Sequence, residues 1–193
     1  MYGGLARHPL MTEEAFAVVV CHELGHHLGG APKKRQSFSI DPLWSSNEGE
    51  ADYFSSLKCL RKFFTGLNNQ DVLREMQVPK EVIAQCLKVF PNIEETLICQ
   101  RSAMAGFSVG LFLKSFSKVK KEISFSSPEK KRVLFTNNSH PSPQCRLDTY
   151  FQAALCDKHF SEELSSKDLN IGACTLKNGD QQGIRPRCWM AKH

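Results

Sequence analysis

No run of eighteen or more apolar residues occurs in this 193-residue chain, so no membrane span is expected from it. The closest run, Leu97 to Leu113, carries Gln100 and Arg101 in its first turns and reads as a buried helix. CxxC pairs are also missing, which argues against a zinc ribbon or a thioredoxin-type redox motif. Met1 to Leu10 lacks a charged segment followed by an apolar stretch and does not read as a signal peptide. Internal repeats and low-complexity tracts are absent. Excess charge is scarce too: 25 Lys and Arg against 20 Asp and Glu leave +5. Only Lys33-Lys34-Arg35 and Lys130-Lys131-Arg132 form basic clusters; they read as solvated loops, and no nucleic-acid partner is expected.

What is present suits a globular protein with one hydrophobic core: 41% hydrophobic residues, including 13 Phe. Thr12 to Leu28 is the strongest segment, with an N-capping Thr12, Glu13 and Glu14 in the first turn, and Gly29-Gly30 and Pro32 as a stop. Tyr2 to Arg7 ahead of it reads as a short strand or loop, and Ala31 to Ser46 after it as an exposed connection. Further helices are predicted over about Asn47 to Phe64, from Pro79 to Phe90, over Ile93 to about Val119, and from Ser142-Pro143 through Leu155. Small residues at Ser102, Ala103, Ala105, Gly106 and Gly110 predict a closely packed neighbour for the third of these. The expected fold is mainly α, with at most a small N-terminal β element. Residues 1–160 form the principal domain and 161–193 a cysteine-containing tail packed on it.

His22-Glu23-Leu24-Gly25-His26 is an HExxH sequence in the middle of the strongest helix. Histidines at i and i+4 share a helical face, so both imidazoles can reach one zinc ion with Glu23 beside them. A catalytic zinc site takes three protein ligands and keeps one open position. No histidine lies between 27 and 140, so the third ligand is sought among carboxylates, and Ser46-Asn47-Glu48-Gly49-Glu50-Ala51-Asp52 supplies them. Glu48 and Asp52 form an i, i+4 pair; with Glu48 on the metal, Asp52 can accept a hydrogen bond from the outer nitrogen of a ligating histidine. Glu50 lies about 200° around the helix and cannot share the zinc.

These motifs resemble the glutamate-type zincins, and within them the HtpX-like and type I CAAX prenyl protease family of zinc metallopeptidases. The likeness rests on HExxH at His22 to His26, on ExxAD at Glu48, Ala51 and Asp52, and on His140-Pro141 followed by Arg146. Gly3-Gly4-Leu5 is similar to the family's substrate-side strand. The resemblance spans positions 3 to 146. It implies a Zn2+ ion held by His22, His26 and Glu48, with Glu23 as general base. His140 or Arg146 would stabilise the oxyanion, unless His140 holds the enzyme latent by taking the open metal position. Arg146 could equally be a structural partner of Asp148 or Asp52. His26 and Glu48 stand only 22 positions apart, so the segments that relatives insert there are missing, and the chain looks like a trimmed, soluble version.

The expected activity is hydrolysis of extended or unfolded polypeptides by a monomeric zinc endopeptidase; the alternative is a non-catalytic or latent binding domain braced by zinc. No cysteine is needed for the metal. Cysteines 145 and 156 stand about 16 Å apart on one helix and cannot pair with each other. Cys174 and Cys188 are expected to pair locally, and the cysteines at 59, 86 and 99 lie on helices expected to pack together. Such bracing implies a periplasmic or extracellular protein whose natural start lies upstream of Met1 or was removed; eight reduced thiols would return it to the cytoplasm.

Overall fold

The computed structural model describes residues 3–35, 42–118 and 120–192. The elements in order are α1 (Gly3–Ala6), α2 (Glu13–Leu28), β1 (Lys33–Arg35), β2 (Pro42–Ser46), α3 (Glu48–Phe54), a π-helical turn (Ser55–Cys59), α4 (Leu60–Phe64), α5 (Asn69–Glu75), α6 (Lys80–Val89), α7 (Ile93–Ser115) and α8 (Pro143–Ala154). A 3-10 turn, Leu176–Asn178, follows in the tail. The architecture is mainly helical, as the sequence predicts, and its one described sheet has two strands.

Local chemistry accounts for the helix limits. Thr12 Oγ1 accepts the Ala15 N–H at 3.1 Å, and Asn47, Asn92 and Ser142 cap α3, α7 and α8 in the same way. From Glu48 to Phe64 the helical path is continuous, with the π turn inside it. Helix α7 stops at Ser115, short of the expected Val119, which lies outside the described residues.

Three readings are corrected. Gly3-Gly4-Leu5 is not a strand: these residues form the helical turn α1, since two glycines and one leucine supply no alternating face to pair. Tyr2 lies outside the described residues. Ala31 to Ser46 is not a plain connection, because Lys33 pairs with Ser46 and Arg35 with Pro42 across an antiparallel ladder. Asn47 N–H donates to Pro32 O at 3.0 Å and carries the hairpin into α3. Helix α5 was not anticipated; its cap is Asn68, whose side chain accepts from Asp71 N–H.

Helix α7 runs through the core between α2, α6 and α8. It is long and apolar enough to cross a membrane, but 72% of its most apolar window is buried inside the protein, as befits a core helix. The expected close neighbour is α8: a Cβ on Gly106 would come within 2.5 Å of Tyr150 Cβ. A tighter crossing joins α2 to α3, where a Cβ on Gly25 would lie 2.7 Å from Ala51 O and 2.8 Å from its Cα. Gly25 sits inside HExxH and Ala51 inside ExxAD, so the small residues of both motifs permit backbone contact between the two helices.

All eight cysteines are paired: Cys21–Cys59, Cys86–Cys99, Cys145–Cys188 and Cys156–Cys174. Four disulfides point to an oxidising, extracellular-type environment. The expected Cys174–Cys188 pair is not formed. Cys145 lies in the first turn of α8 and Cys156 two residues beyond its end, and the tail runs back along the helix, so Cys174 meets Cys156 and Cys188 meets Cys145. Between them the tail lays Arg185 against buried Glu50, with bonds of 2.6 and 2.7 Å, and seats Trp189 over Gly49.

Candidate metal centre

The α2–α3 crossing brings His22 and His26 over the first turn of α3. His22 Nε2 lies 3.3 Å from Glu48 Oε2, and His26 Nε2 lies 3.6 Å from the same oxygen. Donor atoms of the three residues all stand within 4.8 Å of one another. In a tetrahedral zinc site with donors about 2.0–2.1 Å from the ion, neighbouring donors are about 3.4 Å apart, so this set has the right size and chemistry.

The outer nitrogens are already engaged. His22 Nδ1 is 2.7 Å from Asp52 Oδ1, and His26 Nδ1 is 2.9 Å from Ser46 O, the last carbonyl of β2. Donation from Nδ1 to a carboxylate and to a carbonyl orients each ring so that Nε2 faces Glu48, where it can bind a metal once it carries no proton. Glu48 Oε2 is buried and makes no well-aligned hydrogen bond within the protein. A buried carboxylate oxygen without a well-aligned hydrogen bond, approached by the imidazoles of His22 and His26, is an arrangement that a cation can complete.

Asp52 is fully buried and is the hub of the surrounding network. It takes Arg146 Nε on Oδ2 at 2.8 Å, with Arg146 Nη2 and Tyr150 OH on Oδ1 at 2.6 Å each. Of the two partners considered for Arg146, the structure selects Asp52; Asp148 instead accepts Glu129 N–H and Gln144 Nε2. Burial would raise the Asp52 carboxyl, but Arg146 and then His22 outweigh it and hold it well below the usual carboxylate range. Burial likewise disfavours a charged His22, yet Asp52 prevails and the imidazole titrates at about 9. At Glu48 burial is outweighed by His22 and Lys34, which hold the carboxyl at about 2.

Lys34 had been read as part of a solvated cluster. Its Nζ lies 2.7 Å from Glu48 Oε1, and Lys33 Nζ donates to Ser46 Oγ at 3.3 Å. The β1–β2 hairpin turns both amines inward, and nothing in a Lys-Lys-Arg run announces that placement. Tyr150 and Ser46 O likewise carried no signal in the sequence.

Glu23 is exposed and, beside His22, lines an apolar-walled pocket of about 140 Å³ that His140 and Arg146 also border. Leu5, Val109 and Phe112 supply apolar wall, so α1 does reach this pocket, by the Leu5 side chain and not by a strand edge. His140 Nδ1 stands 3.1 Å from Glu48 Oε2 with its side chain 67% exposed. His27, beside His26, is exposed and packs on Trp44.

Compared with known proteins, the chain matches no family model, and no curated protein or solved structure matches it significantly.

Proposed function

We propose that the protein is a zinc-dependent endopeptidase of the glutamate-zincin type, akin to the HtpX-like and type I CAAX prenyl proteases, acting on extended polypeptide outside the cytoplasm, in the periplasm or beyond the cell. The observation that carries this reading is the convergence of His22 Nε2, His26 Nε2 and the unpartnered Glu48 Oε2, with Glu23 free beside them. His22, His26 and Glu48 would hold the metal. When bound there, zinc supplies Lewis acidity toward a carbonyl oxygen and acidifies water toward a pKa of about 7.

The chain's own residues do the rest. Glu23 takes the proton of the attacking water on its carboxylate and returns it to the leaving nitrogen. His140, at the pocket mouth, donates to the oxygen on which charge develops. Arg146 has Nε and Nη2 committed to Asp52, so it is a positioning residue that orients His22 through that carboxylate. The apolar pocket takes a substrate side chain next to the scissile bond and excludes water there.

The His140–Glu48 contact favours a second reading, in which His140 closes a four-ligand site and zinc only braces the helices. Glu23→Gln separates the two. As a peptidase, the variant keeps one zinc per chain and loses casein cleavage; as a braced domain, neither protein cleaves. Full activity in Glu23→Gln rejects the catalytic assignment.

A further inference from the structure

Next to the metal centre lies a larger feature that the proposed chemistry does not use. A groove of about 820 Å³ runs between the start of the β hairpin, at Pro32 and Lys33, and the segment holding Leu134 and Phe135, with Lys167 and Lys192 on its rim. Its size is that of a ligand-binding cleft.

Leu134 and Phe135 are each 87% exposed, the most exposed large apolar side chains in the described residues. They are not on a loose loop. Val133 N–H donates to Arg187 O at 2.9 Å on one side, and Asn137 N–H donates to Trp189 O at 2.8 Å on the other. Thr136 Oγ1 accepts Ala191 N–H at 3.2 Å between them. The fold thus uses backbone bonds to the tail, itself tied down by Cys145–Cys188, to hold two large apolar side chains in water. Such an arrangement marks a contact surface.

The rim is cationic. Neither the Lys167 nor the Lys192 amine has a hydrogen bond or ion pair among the described residues. Among the described residues, no acidic side chain lines the groove. Asp168, next to Lys167, is exposed and accepts the Asn170 N–H and side-chain amide on Oδ1. Lys130, Lys131 and Arg132, just before the apolar pair, are all exposed. Lys33 is the exception, since its amine is turned onto Ser46 Oγ.

Beneath the groove, buried Asn47 donates its N–H to Pro32 O in one wall and its Nδ2 to Asn137 O, at 3.4 Å, between the lining residues Thr136 and Asn138 of the other. The next residue is Glu48. The groove wall at Pro32 is thus one hydrogen bond and one residue from Glu48.

We propose that this groove binds an extended acidic segment of a polypeptide, its carboxylates on Lys167 and Lys192 and an apolar side chain against Leu134 and Phe135, and so directs acidic, partly apolar substrates to the metal centre. The role in substrate delivery rests on the peptidase reading; the binding itself does not.

Binding is therefore measured on full-length Glu23→Gln, by fluorescence anisotropy of a dye-labelled peptide of glutamate, glycine and leucine, with a lysine-for-glutamate peptide as counterpart. The acidic peptide should bind and the lysine peptide should not. Lys167→Glu with Lys192→Glu should weaken binding about tenfold or more, and Leu134→Ser with Phe135→Ser comparably. All four positions are exposed or half-exposed, and unchanged circular dichroism certifies the fold. Equal binding of both peptides, or no loss in the lysine double variant, overturns the proposal. So does sedimentation with phosphatidylcholine–phosphatidylglycerol vesicles without peptide binding, which would make the patch a membrane contact. Acidic-peptide binding with no cleavage by the parent protein leaves the groove standing and removes the peptidase reading; cleavage indifferent to the groove variants overturns the delivery role and leaves the peptidase reading standing.

Discussion

Replacing Asp52 with Asn removes one charge from the fully buried hub beneath the candidate metal ligands. Asp52 meets His22 Nδ1, Arg146 Nε and Nη2, and Tyr150 OH at 2.6 to 2.8 Å. The variant leaves the Arg146 guanidinium, itself 8% exposed, buried without a counter-ion. Breaking such a pair costs about 3–5 kcal/mol. With a urea slope of about 2 kcal/mol per molar, the unfolding midpoint should fall by about 2 M. The measurement belongs in chelator, so that lost metal binding does not add to it. Separately, His22 loses the acceptor that fixes its tautomer, and zinc affinity should fall about 10- to 100-fold. Arg146→Met in the Asp52→Asn background removes the stranded charge, so the double variant should be more stable than the sum of the single losses by 1 kcal/mol or more. A loss below about 1 kcal/mol in Asp52→Asn, or strict additivity in the cycle, refutes the claim that Asp52 and Arg146 act as one buried ionic unit.

Zinc must displace the His22 proton, so below the imidazole's value of about 9 affinity should rise about tenfold per pH unit between 7 and 9, and isothermal titration should detect proton release. Asp148, buried near the start of α8, titrates at about 6, chiefly because burial penalises its charge. A carboxyl with a raised folded value is destabilising once ionised, so its cost, about 3 kcal/mol at most, develops as pH rises from about 4 to 6; Asp148→Asn should gain on the parent over that window in urea unfolding. Gly25→Ala should destabilise by about 1–3 kcal/mol despite the better helix propensity of alanine, and should weaken zinc binding, because the new methyl meets Ala51 backbone and drives the ligand helices apart. Alkylation under denaturing conditions should label no cysteine before reduction and all eight after it.

The amino-acid sequence alone determined the longer helices and the parts of the centre that lie within one turn of a helix. Caps at Thr12, Asn47 and Ser142 are local hydrogen bonds, and the i, i+4 spacings of His22 with His26 and of Glu48 with Asp52 place each pair on one face whatever surrounds them. The exclusion of Glu50 from that face was legible for the same reason, and the structure buries it against Arg185. What only the tertiary structure decided is everything that needs two distant segments to meet. Lys34 reaches Glu48 because a short hairpin, invisible in a basic run without alternation, turns it inward. Arg146 chose Asp52 over Asp148 because the α8–α3 packing sets one carboxylate within its reach and gives the other to Gln144 and Glu129. The cysteines followed the path of the tail along α8 and not their separation in sequence, since a disulfide needs its Cα atoms about 5.5–6 Å apart and sequence distance says nothing of that once a chain doubles back. The helical turn at Gly3–Ala6 was misread as a strand because a strand is defined by its partner, and four residues carry no record of whether one exists.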